Sequence, residues 1–315
     1  MNTLGRERRF DLGTSYTELT LNHPCFARKH ANNKGRIHLP VSPGCNIACR
    51  FCRRDINDYE DRPGVSSTVI TPDEAVEAVG KAIAINPDIT VAGIAGPGDT
   101  LATDYALETF RKIKEKYPKI IKCMSTNGLL LPDKAAEIID IGIDSLTVTV
   151  NAVDPEIEAK LNNMIVYHGK QYSGKEAAEI LIHNQISGIR EVAAAGITIK
   201  VNTVLVPEIN MDHVPAVAKL VAAAGAKIYN IIPLIPQAQL SGCRAPTCKE
   251  IDETRSKAGE YIDVFMHCKR CRADAVGIPG GEDISKLIYA INNINGIKTT
   301  IIAKITEIEE NFNLD

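Results

Sequence analysis

Apolar positions along the chain follow two periods that alternate from one segment to the next. Segments in which every second residue or every residue is apolar predict strands, and segments with an apolar residue every three to four positions predict helices. Cap residues open several of these helices, as in Thr71-Pro72-Asp73-Glu74. The predicted strands are residues 36–41, 90–95, 119–125, 144–151, 198–206 and 227–234, and the predicted helices are residues 72–85, 104–117, 133–141, 177–195 and 214–224.

This alternation predicts an α/β fold, because strands that take turns with helices pair in parallel through right-handed crossovers. The six predicted strand–helix units would form a partial (β/α)6 barrel of the TIM type. In such barrels functional residues gather at the carboxyl ends of the strands. We therefore expect the chemistry of this chain in the loops that follow its strands.

Composition mainly excludes certain classes of partner. A chain of 315 residues with 44% hydrophobic content can bury a large core as one domain. Its net charge of −3 argues against a nucleic-acid partner, because phosphate backbones bind basic surfaces. The chain has no apolar run near the roughly 18 residues that cross a bilayer, and no apolar signal core follows Arg8 and Arg9. We expect a cytoplasmic protein without a membrane partner.

Three of the nine cysteines are spaced Cys45-x-x-x-Cys49-x-x-Cys52. Cysteine clusters in reducing compartments hold metals more often than they form disulfides. Three thiolates on a four-iron cluster leave one iron free to bind a small molecule. A zinc knuckle fits less well, because zinc sites favour paired Cys-x-x-Cys units with four ligands. This spacing resembles the signature of the radical S-adenosylmethionine (radical SAM) superfamily.

The resemblance implies a radical SAM barrel that carries a [4Fe–4S] cluster, whose open iron binds the amino and carboxylate groups of S-adenosylmethionine. The residues that would contact this molecule follow the strands. They are Gly96, Pro97, Gly98 and Asp99 at the methionine amino group, Ser125, Thr126, Asn127, Asn151 and Asn202 near ribose hydroxyls and the carboxylate, and Ile232 and Phe51 near adenine. Each of the polar residues could instead be an ordinary turn or cap residue, and Phe51 could be ordinary core.

Further runs are similar to the NifB family of nitrogenase cofactor maturases, from about residue 20 to 280. The tail Cys271-Arg-Ala-Asp-Ala-Val-Gly277 is not a general radical SAM feature. The runs are His23-Pro24-Cys25, residues 41–52, Arg62-Pro63-Gly64-Val65, residues 95–99, 123–129 and 150–155, and residues 268–277. On this basis we expect a barrel over residues 35–240. Residues 1–34 and 241–315 would be cluster-binding extensions that roof its carboxyl end, with no NifX-like cofactor-carrier domain.

The family resemblance implies a lyase-type enzyme that fuses two [4Fe–4S] clusters and a carbide from S-adenosylmethionine into an eight-iron core. One S-adenosylmethionine gives its methyl group to a cluster sulfide, and the radical from a second abstracts a hydrogen from that methyl. A closed site that excludes water suits such a radical. The implied partners are an iron–sulfur cluster donor, an electron donor such as a ferredoxin, and a protein that accepts the product.

The resemblance also assigns the remaining metal ligands. His23, Cys25 and Cys123 match the ligands of a first substrate cluster, and Cys268 and Cys271 match those of a second. The chain departs from the family in two ways. It lacks the cysteines expected a few residues after Cys52 and before Cys25, and it has two additional ones, Cys243 and Cys248.

Two interpretations of these departures remain open. In the first, Cys243 or Cys248 replaces the missing ligand of the second cluster, while Asp58, Glu60 or His23 completes the first. In the second, Cys243, Cys248, Cys268 and Cys271 form a site of their own, for structural zinc or an auxiliary cluster. Glu60 could also act as a labile ligand or a proton acceptor, or simply pair with Arg62.

Three functions are compatible with the sequence. The first is the NifB reaction. The second is a radical SAM enzyme with one auxiliary cluster and another substrate, and the third is an iron–sulfur carrier without catalysis. Cleavage of S-adenosylmethionine separates the first two from the third, and a carbide-containing product separates the first from the second.

Overall fold

The computed structural model describes residues 14–27 and 33–289. Its strands are β1 Gly35–His38, β2 Ile47–Cys49, β3 Asp55–Ile56, β4 Val65–Ser66, β5 Ile89–Ile94, β6 Ile121–Thr126, β7 Ser145–Thr149, β8 Asn162–Tyr167, β9 Lys170–Ser173, β10 Thr198–Leu205, β11 Ile228–Pro233, β12 Asp263–Val264 and β13 Val276–Gly277. Its helices are α1 Tyr16–Asn22, α2 Pro72–Ile85, α3 Tyr105–Lys116, α4 Leu131–Ile141, α5 Pro155–Glu158, α6 Gly174–Ala194, α7 Val214–Ala223, α8 Cys248–Ala258 and α9 Ser285–Tyr289. Short 3-10 turns cover Met211–His213 and Ala238–Leu240.

The main sheet has the strand order β12-β11-β10-β7-β6-β5-β1-β13. Its strands are parallel except for β13, which runs antiparallel to β1. The six strands β1, β5, β6, β7, β10 and β11 correspond to the six predicted ones. The prediction of an α/β fold built as a partial TIM-type barrel is therefore confirmed.

Local sequence signals explain where the outer helices begin and end. In α2, the Thr71 side chain accepts the Glu74 amide while the Glu74 side chain accepts the Thr71 amide, and Pro72 occupies the first turn. This capping arrangement satisfies backbone groups that a helix start leaves unpaired. At the carboxyl end of α4, Gly142 has a φ of 74°, a conformation that favours glycine.

The barrel strands are apolar on the outside and polar on the inside. Outward-facing side chains such as Ile37, Met124 and Val201 pack in the core between the sheet and its helices. Their neighbours one position away, such as Arg36 and Cys123, line an interior cavity. Because successive side chains of a strand point to opposite faces, this alternation places chemically active groups inside the barrel.

A hairpin formed by β8 and β9 is an element that the sequence patterns did not predict. Its turn contains His168 and Gly169, both with positive φ, as tight hairpin turns require. Strand β8 pairs antiparallel with β2, so that Cys49 lies opposite Asn162. The hairpin thus anchors the loop that carries the cysteine triad.

The described part of the amino-terminal extension closes the amino end of the barrel, not the carboxyl end. Thr14 donates from its amide and its hydroxyl to Asp144, which immediately precedes β7. Leu19 and Phe26 pack with Phe265 on side chains near the strand starts, namely Val91, Ile121 and Ile228. The expected roof over the carboxyl end is therefore wrong for residues 14–27, because their apolar side chains cover the apolar strand starts. Residues 1–13, 28–32 and 290–315 of the predicted extensions lie outside the described residues.

Within the described ranges, the helices are too short or too polar for any of them to cross a membrane.

Candidate functional site

The cysteine triad lies in the loop after β1, at the carboxyl end of the barrel. Burial raises the pKa of Cys45 to about 11 and raises that of Cys49 well above its usual range. The neighbouring thiols Cys52 and Cys45 raise the pKa of Cys49 further, so the three cysteines are close enough to interact. Thiols in this setting lose their protons when they bind a metal cation, and the triad fits a cluster with three thiolate ligands.

The segment 96–99 lies directly against the triad loop. The Gly98 amide donates to the Ser42 carbonyl at 2.7 Å, and the Asp99 amide donates to the Gly44 carbonyl at 2.8 Å. A Cβ atom at Gly98 would lie 1.9 Å from the Gly44 oxygen. This position therefore requires glycine, and the segment predicted to hold S-adenosylmethionine is fixed beside the triad.

Asp99 joins two strand ends. Its buried carboxylate accepts the amides of Asn127 at 2.5 Å and Leu101 at 2.9 Å, and the Thr126 hydroxyl at 3.1 Å. Burial raises the pKa of Asp99, and the two backbone hydrogen bonds oppose that shift. With both oxygens accepting internal hydrogen bonds, Asp99 positions the loops after β5 and β6.

The other residues predicted for S-adenosylmethionine also lie at strand ends, and some of them have internal partners. Asn127 donates to Asn46 at 2.6 Å and reaches Cys45 Sγ at 3.9 Å, which steadies the triad loop. Asn151 accepts the Val204 amide at 2.9 Å. Phe51 packs on Leu161, Val206 and Leu234, and Ile232 is half-buried near the end of β11.

Several buried polar atoms around the triad loop lack a hydrogen-bond partner. They include Asn46 Nδ2, Glu158 Oε2 and both side-chain polar atoms of Asn162. Glu158 is 2% exposed, burial raises its pKa to about 8, and its charge raises the pKa of Cys49. Such orphaned groups cost about 1–3 kcal/mol each. A polar cofactor bound at the triad would provide the missing partners, so the residues fit a cluster with S-adenosylmethionine.

A second group of cysteines lies inside the barrel, below the triad. Four cysteines, three histidines and four basic residues line this cavity, and none of its described lining residues is Asp or Glu. The cavity also includes Ser125 and Asn202, which were predicted to contact S-adenosylmethionine. The cysteines are Cys25, Cys123, Cys268 and Cys271, the histidines are His23, His38 and His267, and the basic residues are Arg36, Lys200, Lys269 and Arg270.

The charges in this cavity call for an anionic ligand. Arg36 Nη2 donates to Cys271 Sγ at 3.2 Å. Lys200 Nζ lies 5.3 Å and 5.5 Å from the ring centroids of Phe26 and Phe265. Burial raises the pKa of Cys25, while the Lys200 charge lowers it. Buried cations need counter-charges, and thiolates that hold an iron–sulfur cluster would supply them.

His38 is a cavity residue that sequence reasoning missed. Its Nδ1 pairs with the Arg272 carbonyl at 2.9 Å, and a carbonyl can only accept, so Nδ1 carries the hydrogen. Burial and the Arg36 charge lower the His38 pKa to about 4, which keeps the ring neutral. A neutral histidine that donates its other nitrogen to a carbonyl is the usual metal-binding form. Gly93 gives the ring room, because a Cβ there would lie 3.1 Å from His38 Cδ2.

His23 is a second buried histidine of the cavity. Its Nδ1 accepts the Cys25 amide at 3.1 Å, which places the hydrogen of the neutral ring on Nε2. Burial, the largest cause, and the Lys200 charge hold the His23 pKa well below its usual range. The buried Nε2 of His23 has no hydrogen-bond partner among the described residues, so His23 and His38 are both candidate nitrogen ligands in the cavity. The only signal for His38 in the sequence was its position two residues after Arg36, on the same face of β1.

Cys243 and Cys248 do not line this cavity. Cys243 packs beside Phe51, and the Leu240 amide donates to the Arg50 carbonyl at 3.2 Å, so this segment belongs to the triad end. Cys248 opens α8 and is exposed. The four-thiolate site that would combine these two cysteines with Cys268 and Cys271 is thus not formed.

Single-ion sites are also lacking in the described ranges, where no three His, Cys, Asp or Glu side chains converge on one metal ion. Thiolates of a cubane cluster bind different irons and lie further apart.

Glu60 lies outside the cavity and has partners of its own. It accepts from Asn57 Nδ2 at 2.8 Å and from Arg62 Nη2 at 3.0 Å. The Asn57 and Arg62 hydrogen bonds lower its pKa. The structure therefore supports the interpretation of Glu60 as a loop carboxylate paired with Arg62. The other proposed carboxylate, Asp58, does not line the cavity either.

Residues 39–221 match the family model of the Radical SAM superfamily. A protein from Methanocaldococcus infernus, named FeMo cofactor biosynthesis protein NifB, is 44% identical over 282 residues, which are 89% of this chain and 93% of that protein. The protein of the same name from Methanocaldococcus jannaschii is 46% identical over 84% of this chain and 89% of its own length. The one from Klebsiella pneumoniae is 42% identical over 84% of this chain but only 58% of its own length.

Solved structures agree with the fold. SuiB from Streptococcus suis superposes with a TM-score of 0.52 at 11% identity, covering 73% of this chain and 49% of that one. The structure of SuiB bound to S-adenosylmethionine gives 0.51 at 12% identity, with 73% and 50% covered. At this identity the likeness concerns the fold alone.

Proposed function

The chain belongs to the NifB family of the radical SAM superfamily, and from this premise we propose that it acts in the biosynthesis of the nitrogenase iron–molybdenum cofactor. In detail, we propose that it fuses two [4Fe–4S] substrate clusters with a carbide from S-adenosylmethionine into an eight-iron core. One observation carries the proposal. The cavity with four cysteines opens beneath the predicted S-adenosylmethionine segments and shares Ser125 and Asn202 with them.

The triad residues Cys45, Cys49 and Cys52 would hold the resident [4Fe–4S] cluster. When bound, this cluster supplies the electron that cleaves S-adenosylmethionine to a 5′-deoxyadenosyl radical. The backbone of residues 96–99 would hold the methionine end of that molecule, since Gly98 is fixed against the triad loop. The protein's part in this step is binding and orientation.

The cavity residues would hold the substrate clusters. Cys25 and Cys123 with His23 or His38 would form one ligand group, and Cys268 with Cys271 would form the other. The two groups are neighbours, because Cys268 and Cys271 both raise the pKa of Cys25. Clusters held by adjacent ligands in one cavity would be close enough to fuse.

The floor of the cavity would exclude water from the reaction. Phe265 lines it, and Leu19 and Phe26 pack beneath the barrel with Phe265. A carbon radical abstracts hydrogen from whatever donor it meets, so a dry and closed site protects the intended reaction. A cluster donor, a low-potential electron donor such as a ferredoxin, and a product acceptor complete the proposed set of partners.

Iron, acid-labile sulfide and zinc per chain after anaerobic reconstitution test the cluster content. We expect about 12 irons without zinc for the wild type and about 8 for the variant Cys45→Ala/Cys49→Ala/Cys52→Ala. About 4 irons in the wild type would contradict the proposal.

Product analysis tests the chemistry. The wild type should convert S-adenosylmethionine to 5′-deoxyadenosine and release an eight-iron product, whereas the triad variant should do neither. Cleavage without that product would indicate another substrate for the radical. Full cluster loading without cleavage would indicate a carrier.

A further inference from the structure

Arg36 is a buried cation in the cavity, with a fixed geometry. Arg36 is 5% exposed and lies on β1 opposite Gly277 of β13. Nη1 donates to the Gly277 carbonyl at 2.6 Å, and Nη2 donates to Cys271 Sγ at 3.2 Å. The first hydrogen bond holds the guanidinium in place, so the second is directed at one particular sulfur.

The charge of Arg36 is not balanced by a carboxylate of the cavity, because the described lining residues include no Asp or Glu. A buried guanidinium is costly unless an anion accompanies it. The hydrogen-bonded sulfur of Cys271 is the nearest group that can become that anion. Cys271 is therefore the cavity sulfur whose bond to iron this guanidinium would influence most directly.

The other three cavity cysteines have a different environment. Cys25, Cys123 and Cys268 pack against the apolar cluster of Leu19, Phe26, Val91 and Phe265, whereas Cys271 does not belong to it. Among the described cavity residues, Cys271 is thus the cysteine at which a guanidinium donor is directed.

We propose that Arg36 makes Cys271 the most labile ligand of the substrate cluster, so that this cluster opens at Cys271 when it is converted. The proposal rests on the proposed function, in which the cavity holds the clusters. A charged N–H donor withdraws electron density from the thiolate, which weakens its bond to iron and raises the reduction potential of the cluster. Arg36 is thus a positioning residue that acts through Cys271.

The test uses the Cys45→Ala/Cys49→Ala/Cys52→Ala background, which removes the signal of the triad cluster. Arg36→Gln removes the charge, and Arg36→Lys keeps it without the two-pronged donor. Arg255→Gln is the matched control, since Arg255 is also largely buried, with its side chain 18% exposed, but lies on α8. The readouts are the midpoint potential from a redox titration followed by electron paramagnetic resonance, and the rate of iron transfer to a chelator.

For Arg36→Gln we expect the equilibrium constant for reduction to fall about tenfold, which is about 59 mV for one electron. Iron transfer to the chelator should slow at least threefold. Arg36→Lys should give intermediate values, and Arg255→Gln should match its parent. Adding Cys271→Ser should remove the difference between Arg and Gln at position 36, because the effect passes through that sulfur.

The outcomes separate this inference from the proposed function. A background variant that binds no iron in the cavity overturns both. If the cluster loads and its midpoint potential and iron-transfer rate are the same with Arg, Gln or Lys at position 36, only the role of Arg36 is overturned. If Arg36→Gln does not fold, the Arg36→Lys variant and its Cys271→Ser partner decide the question.

Discussion

At the scale of single residues, the environment of each cysteine decides which sulfurs can share a cluster. Cys25, Cys123, Cys268 and Cys271 line one cavity, whereas Cys243 and Cys248 lie elsewhere. Sequence spacing alone left both groupings open, because it does not show on which side of the barrel residues 241–271 pass.

The first prediction concerns those two additional cysteines. The variant Cys243→Ala/Cys248→Ala should keep the wild-type iron content, because neither sulfur reaches the cavity. The variant Cys268→Ala/Cys271→Ala should lose about 4 irons per chain. Iron and sulfide analysis after reconstitution measures both. Equal losses in the two variants would show that Cys243 or Cys248 binds a cluster.

The second prediction concerns Glu158, whose folded-state pKa is about 8. The unfolded chain releases this proton near pH 4.5, while the folded protein keeps it until about pH 8, so the folded state binds more protons in between. Its free energy of unfolding should therefore fall as pH rises across this interval, by on the order of 3 kcal/mol. Glu158→Gln should lack this loss.

Urea unfolding at several pH values measures the effect. Glu156→Gln is the control, because Glu156 lies on the same helix with its side chain 71% exposed. If the wild type and Glu158→Gln differ in free energy of unfolding by the same amount at every pH from 5 to 8, the burial of a neutral carboxyl group is contradicted.

At the scale of elements, the loop after β5 and the triad loop form one unit. The third prediction is that Gly98→Ala loses affinity for S-adenosylmethionine at least tenfold, because its Cβ would displace the Gly44 carbonyl. Equilibrium dialysis of the reconstituted protein gives the affinity. Gly242→Ala is the control, since a Cβ there has no neighbour within 4 Å. Unchanged affinity in Gly98→Ala would mean that the contact is not part of the binding site.

Much of the element pattern could be predicted from the sequence. The helix 72–85 was placed to the residue, because its capping residues and its apolar period are local signals. The β8–β9 hairpin was missed, since its stability comes from pairing with the distant β2. Arg36, His38 and Lys200 were missed for a related reason. Their strands were predicted, but which face of each strand points into the cavity depends on the assembled barrel.

At the scale of the whole molecule, the amino-terminal segment acts as the floor of the barrel. The fourth prediction is that Leu19→Ala lowers the free energy of unfolding by about 2–5 kcal/mol, because this fully buried side chain packs with Phe26 and Phe265. The cavity cluster should also bleach faster in air. Leu21→Ala, at a position 63% exposed on the same helix, should change stability by about 0.5 kcal/mol or less. Equal effects of the two variants on unfolding and bleaching would contradict the floor.

The lack of carboxylates among the described lining residues of the cavity also has a consequence for competition between metals. Magnesium and calcium are hard cations that bind oxygen, whereas sulfur and imidazole nitrogen suit iron, zinc and copper. Magnesium should therefore compete poorly for this cavity. Zinc and copper share the ligand preferences of iron and are the stronger competitors.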